Sequence, residues 1–363
     1  MPSRTKVKHG AWNRREFLRV ATLSATTLAT TTSHLVGAES ETSRKRPVSI
    51  GFLGAVYSHA ADKLKVLQSS KDYNLVGVHE ESPVARQSFE KQGLKLLSQD
   101  AVLEQSEVVV VESAIRDHAR HALLALKAGK HVHVEKPPAV TLAAMQEMVA
   151  LAREKKLVLQ TGYMWRYHPG FLAILEAARK GWLGEIYFVR AAINNHLAAA
   201  RRAEWAEFKG GSMFELGSHL IDVTVRLLGK PKAVTPILRR HGSGADTLTD
   251  NNVAILEYDK ATAVITNTAL QPTRLPQRSF EVLGSNGSAI LSPIEPPVLQ
   301  MELMSAAGPY KAGVQKVSLP DYRRFETDFV ELAAAVRGER PLSISLEEEL
   351  AVQETLLKAS EML

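Results

Sequence analysis

The sequence predicts an α/β protein in two domains, the first built on a parallel, doubly wound sheet. Three observations predict it. The chain has 363 residues, more than one ordinary domain holds and about the length of two. From residue 47 to 165, short β-branched runs alternate with stretches of helical spacing, the pattern of right-handed βαβ units. From residue 166 onward, strand-like runs separated by turn signals take over. With 45% apolar and 23% charged residues, the composition is that of a soluble globular chain.

The elements are justified in order. Val48-Ser49-Ile50-Gly51-Phe52-Leu53-Gly54 reads as a short buried strand ending in a turn, and Ala60 to Gln68 follows with helical spacing. Leu75-Val76-Gly77-Val78 is a second strand, closed by His79-Glu80-Glu81, and Val84 to Gln92 is helical in pattern. Val108-Val109-Val110-Val111 is apolar throughout, as a strand buried on both faces must be. A helix from His118 to Ala128 closes at Gly129, and the strand His131-Val132-His133-Val134 runs into Glu135-Lys136-Pro137-Pro138. Leu142 to Lys155 is a helix and Leu157-Val158-Leu159-Gln160 the last strand of this half. A ligand is expected at the carboxyl ends of these strands. In the second half, Ile186–Ile193, Val253–Tyr258, Ala261–Asn267 and Phe280–Leu283 read as strands, with turns at Asp259-Lys260 and Asn286-Gly287. Helices are expected from Phe325 to Arg337 and from about Leu346 to the end.

The charge is not evenly spread. The chain carries 45 basic and 39 acidic residues, but six of the basic and only one of the acidic ones lie in residues 1–38. The remainder is nearly neutral and gives no electrostatic reason to expect a nucleic-acid partner. Cysteine is absent, which excludes disulfides, thiolate metal sites and a Cys nucleophile. The run Asn13-Arg14-Arg15-Glu16-Phe17-Leu18-Arg19 precedes a mild apolar stretch to Leu35, too polar and short to anchor the chain stably in a membrane. Val36-Gly37-Ala38 has the small residues of a cleavage site. This order resembles a twin-arginine export signal over residues 1–38, followed by a linker at 39–46. The resemblance implies a periplasmic or otherwise exported protein, with the export machinery as a partner.

Four blocks carry a second resemblance. They are Ala128-Gly129-Lys130-His131-Val132-His133-Val134-Glu135-Lys136-Pro137, Gly162-Tyr163-Met164-Trp165-Arg166-Tyr167-His168-Pro169, the run from Gly210 to Asp222, and Phe280-Glu281-Val282-Leu283-Gly284-Ser285-Asn286-Gly287. In this order they resemble the Gfo/Idh/MocA oxidoreductases, from about residue 47 to the end. The resemblance implies a Rossmann domain at 47–165. It implies a substrate-binding and oligomerisation α/β domain at 166–363, with a large, mostly antiparallel open sheet. An open sheet with one uncovered face usually buries that face, so a homodimer or homotetramer is expected. The resemblance also implies NAD as cofactor and a carbohydrate as substrate. The departure is at the cofactor loop, where G-x-G-x-x-G becomes Gly54-Ala55-Val56-Tyr57-Ser58-His59. A Val at the second glycine position should obstruct the pyrophosphate unless the loop takes another path. Gly54, Val56, Tyr57 and Ser58 are the expected loop contacts. Glu80 lies where a carboxylate accepts from the adenosine ribose diol and repels a 2′-phosphate, which favours NAD over NADP.

By the same resemblance, Lys136 lies beside the nicotinamide and points at the substrate hydroxyl, while Glu135 positions Lys136 or the nicotinamide amide. A bond with a cis peptide is expected before the prolines. Glu215, His219 and Asp222 are spaced i, i+4, i+7, which puts them on one face of a helix. His219 is the expected general base, Glu215 its orienting partner or a substrate hydrogen bond, and Lys136 a polariser. A metal held by this acidic–His–acidic set is the weaker reading, and no metal is expected. Tyr163, Arg166, His168 and Asp222 are candidates for hydrogen bonds to a polyol, Asp222 alternatively lying behind the site. The expected activity is hydride transfer from a sugar, sugar acid or cyclitol to a tightly held, recycled NAD. The alternatives are glycoside cleavage through transient oxidation, and a non-catalytic carbohydrate-binding protein.

Overall fold

The computed structural model describes residues 45–272 and 277–363. The export signal read in residues 1–38 lies outside them. From Arg46 onward the chain is one compact unit.

The first half is a parallel sheet of β1 (Val48–Leu53), β2 (Tyr73–His79), β3 (Val108–Val111), β4 (His131–Val134) and β5 (Leu159–Thr161), in the order β2-β1-β3-β4-β5. Beyond β2, a parallel bridge joins Val78 to Leu96. Here the Val78 N–H donates to the Lys95 carbonyl at 2.9 Å and the Leu97 N–H to the Val78 carbonyl at 3.0 Å. Counted as a strand, this segment makes the order 3-2-1-4-5-6, that of a dinucleotide-binding sheet. The connections are α1 (Ala60–Ser69), α2 (Pro83–Lys91), α3 (Gln99–Gln105), α4 (His118–Lys127) and α5 (Leu142–Glu154). Ser82, Ser98 and Thr141 begin α2, α3 and α5, each side-chain oxygen accepting from an amide three residues on. β3 shows why the sheet must be covered on both sides. Val109 and Val111 enter one core with Leu126, Met145 and Met148, while Val108 and Val110 enter the other with Leu64 and Leu67. All four valines are fully buried, each contributing about 2 kcal/mol of burial.

The second half begins with α6 (Pro169–Arg179) and is built on an eight-stranded sheet. Its strands are β6 (Ile186–Asn194), β7 (Ala233–Arg239), β8 (Asn251–Glu257), β9 (Thr262–Thr268), β10 (Arg278–Gly284), β11 (Gly287–Leu291), β12 (Leu299–Leu303) and β13 (Gly313–Val317). They run in the order β13-β12-β11-β10-β6-β9-β8-β7, and only β6 and β9 pair in parallel. Between β6 and β7 lie α7 (Ala199–Trp205) and α8 (Ser218–Leu228); α9 (Glu326–Val336) and α10 (Leu346–Ala359) close the chain. One face of the sheet is buried; Val253, Ile255 and Val264 on the other stay partly exposed and Ile237 is exposed. β7, β11, β12 and β13 were not legible in the sequence. β7 and β13 are edge strands whose residues are all partly or fully exposed, so their alternation is weak.

The last two helices return to the first half. The Tyr73 hydroxyl donates to the Phe329 carbonyl at 2.7 Å, and Glu349 on α10 accepts from the Thr161 N–H at 3.1 Å. These contacts set the carboxyl ends of β1, β3 and β4 against the start of α8.

Candidate active site

Two segments meet over the parallel sheet. Lys136 follows β4, and its bond to Pro137 is cis. Opposite it, Met213–Gly217 forms a π-helical turn that runs directly into α8. The Lys136 Nζ donates to Glu215 Oε1 at 2.6 Å and lies 3.3 Å from the Glu215 carbonyl. The Tyr57 hydroxyl, from the loop after β1, donates to the same Oε1 at 2.5 Å. Lys136 also lies 5.5 Å from the centroid of the Tyr57 ring. Burial, then the Glu215 and Glu135 carboxylates, pushes the Tyr57 phenol well up, so it stays protonated and donates.

Glu215, His219 and Asp222 do not share one destination. Glu215 and His219 line the cleft, while Asp222, three residues beyond His219 in α8, is buried away from it and accepts from Arg166. Glu215 pairs with Lys136 rather than orienting His219. The His219 ring instead lies 4.9 Å from Trp165 and 6.1 Å from Tyr163, centroid to centroid. Its Nδ1 is buried without a partner among the described residues, so Nε2 is the nitrogen left for the cleft. Burial, then the charge of Lys136, holds this imidazole well below its ordinary range, and it is neutral near pH 7.

The cleft has a volume of about 200 Å³ and takes its walls from both halves. Ser58, His59 and Lys136 come from the first; Asn195, Glu215 and His219 from the second. Tyr163, Arg166, His168 and Asp222 are not among its lining residues. Arg166 donates to Asp222 Oδ1 from Nε at 3.0 Å and from Nη2 at 2.8 Å, and to both oxygens of Glu349 at 2.6 and 2.8 Å. A guanidinium between two carboxylates in a dry interior is a structural clamp, here joining the first domain's end to α8 and α10. His168 Nε2 is 2.9 Å from the Ile294 carbonyl, and the Arg166 guanidinium lies 4.9 Å from the centroid of the Tyr163 ring. These side chains therefore support the cleft from behind.

The cofactor loop answers the problem posed by Val56. Gly54 sits at φ +73°, and a Cβ there would be 2.4 Å from that of Ser113, so only glycine passes. Val56 turns outward, 46% exposed, while Ala55 and Tyr57 are buried. Glu80 stands at the end of β2 and accepts from the Ala55 N–H at 2.7 Å and the Ser82 N–H at 2.8 Å. Each carboxylate oxygen keeps a second lone pair for a ribose hydroxyl. The glycine cradle, the carboxylate at the strand end and a cleft reaching Lys136 fit a dinucleotide.

Beneath the loop lies a charged cluster that sequence reasoning missed. Lys63 Nζ, fully buried on α1, donates to Glu112 Oε1 and Glu135 Oε2, both at 2.5 Å, and lies 2.9 Å from His133 Nε2. His59 Nδ1 is 3.1 Å from Glu135 Oε1. Glu135 thus holds Lys63 and His59 rather than Lys136. Gly162 makes the room, since a Cβ there would meet Lys63, Glu135 and His133 at 2.9–3.1 Å. Burial alone would raise the Glu135 carboxyl, but the Lys63 cation and the contact with His59 hold it well below its ordinary range. Burial pushes the Glu112 carboxyl well up despite Lys63. One signal was available: Lys63 shares the buried face of α1 with Ala60, Leu64 and Leu67, where an apolar residue belongs.

This fold and site define a two-domain protein of the dinucleotide-binding class, with a cleft between a parallel and a mostly antiparallel sheet. Residues 48–163 match the oxidoreductase family with an NAD-binding Rossmann fold, and residues 171–290 match the GFO/IDH/MocA C-terminal domain. The chain belongs to the Gfo/Idh/MocA family, and its first domain is that family's NAD-binding domain. Among characterised relatives, it is 30% identical over 187 residues to scyllo-inositol 2-dehydrogenase (NADP(+)) IolW of Bacillus subtilis (strain 168), covering 51% of each chain. It is 31% identical over 154 residues to trans-1,2-dihydrobenzene-1,2-diol dehydrogenase of Homo sapiens, covering 42% of this chain and 45% of that one. The aligned region thus spans about half the length of these relatives. Among solved structures, GenD2 from gentamicin A biosynthesis in complex with NAD superposes with a TM-score of 0.73 at 22% identity, over 93% of this chain and 97% of that one. UDP-N-acetylglucosamine 3-dehydrogenase GnnA from Acidithiobacillus ferrooxidans gives a TM-score of 0.73 at 18% identity, over 88% and 98%. At these identities the likeness is one of fold.

Proposed function

We propose that the protein oxidises a secondary hydroxyl of a sugar, sugar acid or cyclitol, using an NAD that stays bound and is recycled. The observation that carries this reading is the convergence of Lys136, Glu215 and His219, from two domains, on one cleft at the carboxyl ends of the parallel strands. Bound NAD supplies the hydride acceptor. The chain's residues manage the proton and the charge. Neutral His219 takes the hydroxyl proton on Nε2. The Lys136 ammonium stabilises the alkoxide as it develops. Glu215 and Tyr57 hold that ammonium in place. Glu80 binds the adenosine ribose, and its charge selects NAD against NADP.

The test is native mass spectrometry of the purified protein, followed by addition of a panel of sugars, sugar acids and cyclitols. The expected result is a bound dinucleotide and nicotinamide absorbance near that of the reduced form on adding substrate. Protein free of nucleotide that also binds no added NAD overturns the reading. Aglycone release without net redox change assigns the cleft to cleavage through transient oxidation instead. The same spectrum counts subunits. The partly apolar open face of the large sheet supports a homodimer or homotetramer, and a monomer removes that part.

Export through the twin-arginine route is part of the same proposal, resting on Arg14, Arg15 and the order of segments around them. Replacing both by Lys is expected to leave full-length precursor in the cytoplasm. Normal processing of the double variant removes the export claim.

A further inference from the structure

The cleft wall away from Lys136 is rich in arginine. Arg201, Arg278 and Arg324 line it, and the only carboxylate among the lining residues is Glu215, already held by Lys136. Arg201 has its own partner, donating to Glu204 at 2.8 Å. Arg278 and Arg324 share a single carboxylate, Glu295. Arg324 takes both of its oxygens, from Nε at 2.7 Å and through a close Nη2 contact. Arg278 is left with a 3.3 Å contact from Nη1. Its Nε is buried and without a partner among the described residues. A guanidinium has five N–H donors, and one that is 15% exposed with a single long contact is short of acceptors. It is also held in place, its centre 5.8 Å from the Trp165 ring. His219 is another neighbour of that ring, at 4.9 Å. The under-neutralised cation and the proposed base therefore flank the same indole.

We propose that Arg278, with Arg324 beside it, binds the oxyanion of the substrate, and that the physiological substrate is a carboxylated sugar rather than a neutral one. Two guanidiniums facing one carboxylate leave one positive charge unmatched at the cleft wall. A planar carboxylate matches the fork of Arg278 and supplies acceptors for its idle N–H groups. A neutral hydroxyl there would leave the charge uncompensated. The anion also fixes register, since it sets which hydroxyl of the ring reaches His219. This last point rests on the dehydrogenase reading; the anion site itself does not.

The experiment is calorimetric titration of the NAD-loaded protein with glucuronate, galacturonate and gluconate, each against its neutral parent, glucose, galactose or glucitol. Glucose 6-phosphate serves as the phosphate arm. At least one acid is expected to bind tenfold or more tighter than its parent, with an affinity that falls as salt is added. Arg278→Gln is expected to lower the acid-to-parent affinity ratio roughly 30-fold or more, with Arg278→Lys recovering part of it. Arg324→Gln gives a second, independent reduction of that ratio should the first variant fold poorly. Equal affinities for acids and parents, or an equal loss for both in the variants, overturn the proposal and leave Glu295 as an internal counter-ion only. Tighter binding of the phosphate than of every acid replaces a carboxylated by a phosphorylated substrate, and so overturns the carboxylate assignment. Arg278-dependent binding of an acid with no reduction of NAD sinks the dehydrogenase reading and leaves the anion site standing.

Discussion

Replacing Lys136 by Met is expected to lower kcat about 10³-fold with the best substrate of the panel. The ammonium is 1% exposed and meets Glu215 at 2.6 Å, so water cannot stand in for it. Its charge matters most when the substrate oxygen becomes an alkoxide, so the loss should fall on kcat more than on KM. The substitution also leaves the Glu215 carboxylate with Tyr57 as its remaining donor. An unpaired buried carboxylate destabilises the fold, which by itself could lower activity. The double variant Lys136→Met/Glu215→Gln separates the two effects. It should recover thermal stability towards that of the parent while kcat stays low. A Lys136→Met enzyme within tenfold of the parent removes the ammonium from the chemistry. Recovery of kcat in the double variant would show that the loss was structural.

Replacing Lys63 by Met is expected to cost about 3–5 kcal/mol of stability at pH 8. Lys63 is the cation between Glu112 and Glu135, and all three side chains are fully buried. Without it, two adjacent carboxyl groups remain in a dry site, and both are raised above their unfolded values. The folded variant then binds more protons than the unfolded chain through the range between those values. Its stability must fall as pH rises. The deficit relative to the parent should be small near pH 5 and full by pH 8. Urea unfolding at the two pH values measures it. A deficit under 1 kcal/mol at pH 8, or one that grows as pH falls, would contradict this account. Adding Glu112→Gln to Lys63→Met should restore most of the loss, since one amide replaces the carboxyl that burial already disfavours as an anion. Because Glu135 also meets His59 at the cleft, the Lys63 variant reports on the floor of the active site as well as on the fold.

Residues whose role depends on chain neighbours were legible, and those whose role depends on distant partners were not. The four valines of β3 announce a strand buried on both faces, and the structure buries all of them. Glu-Lys-Pro at the end of β4 places Lys136 at the carboxyl edge of the sheet, where it stands. The spacing of Glu215, His219 and Asp222 was read as one helical face. Distant partners divided it, giving Glu215 to Lys136 and Asp222 to Arg166, 79 and 56 positions away. No local signal marks such partners. Arg166 and His168 were assigned to the substrate because they lie at the domain junction, where a polyol could receive several hydrogen bonds. The structure instead pairs them with Asp222 and Glu349, and with the Ile294 carbonyl, residues 56 to 183 positions away in sequence.

The sequence by itself determined the parallel sheet, its order of strands and helices, the glycine at the first loop position and the residues offered to the cleft. These follow from periodicity, backbone freedom and charge, which act over a few residues. The tertiary structure alone decided which polar groups face the cleft and which cancel one another in the interior. Lys63 could be seen as a lysine on an apolar helix face, but only the approach of β3 and β4 supplies the two carboxylates that make it stable there. In the sequence Arg278 is a basic residue just before the strand read at Phe280–Leu283, and only the sharing of Glu295 leaves it short of acceptors. In a medium that solvates charge poorly, the meaning of an ionised side chain is set by its nearest counter-charge, and the folded chain chooses that partner from anywhere along its length.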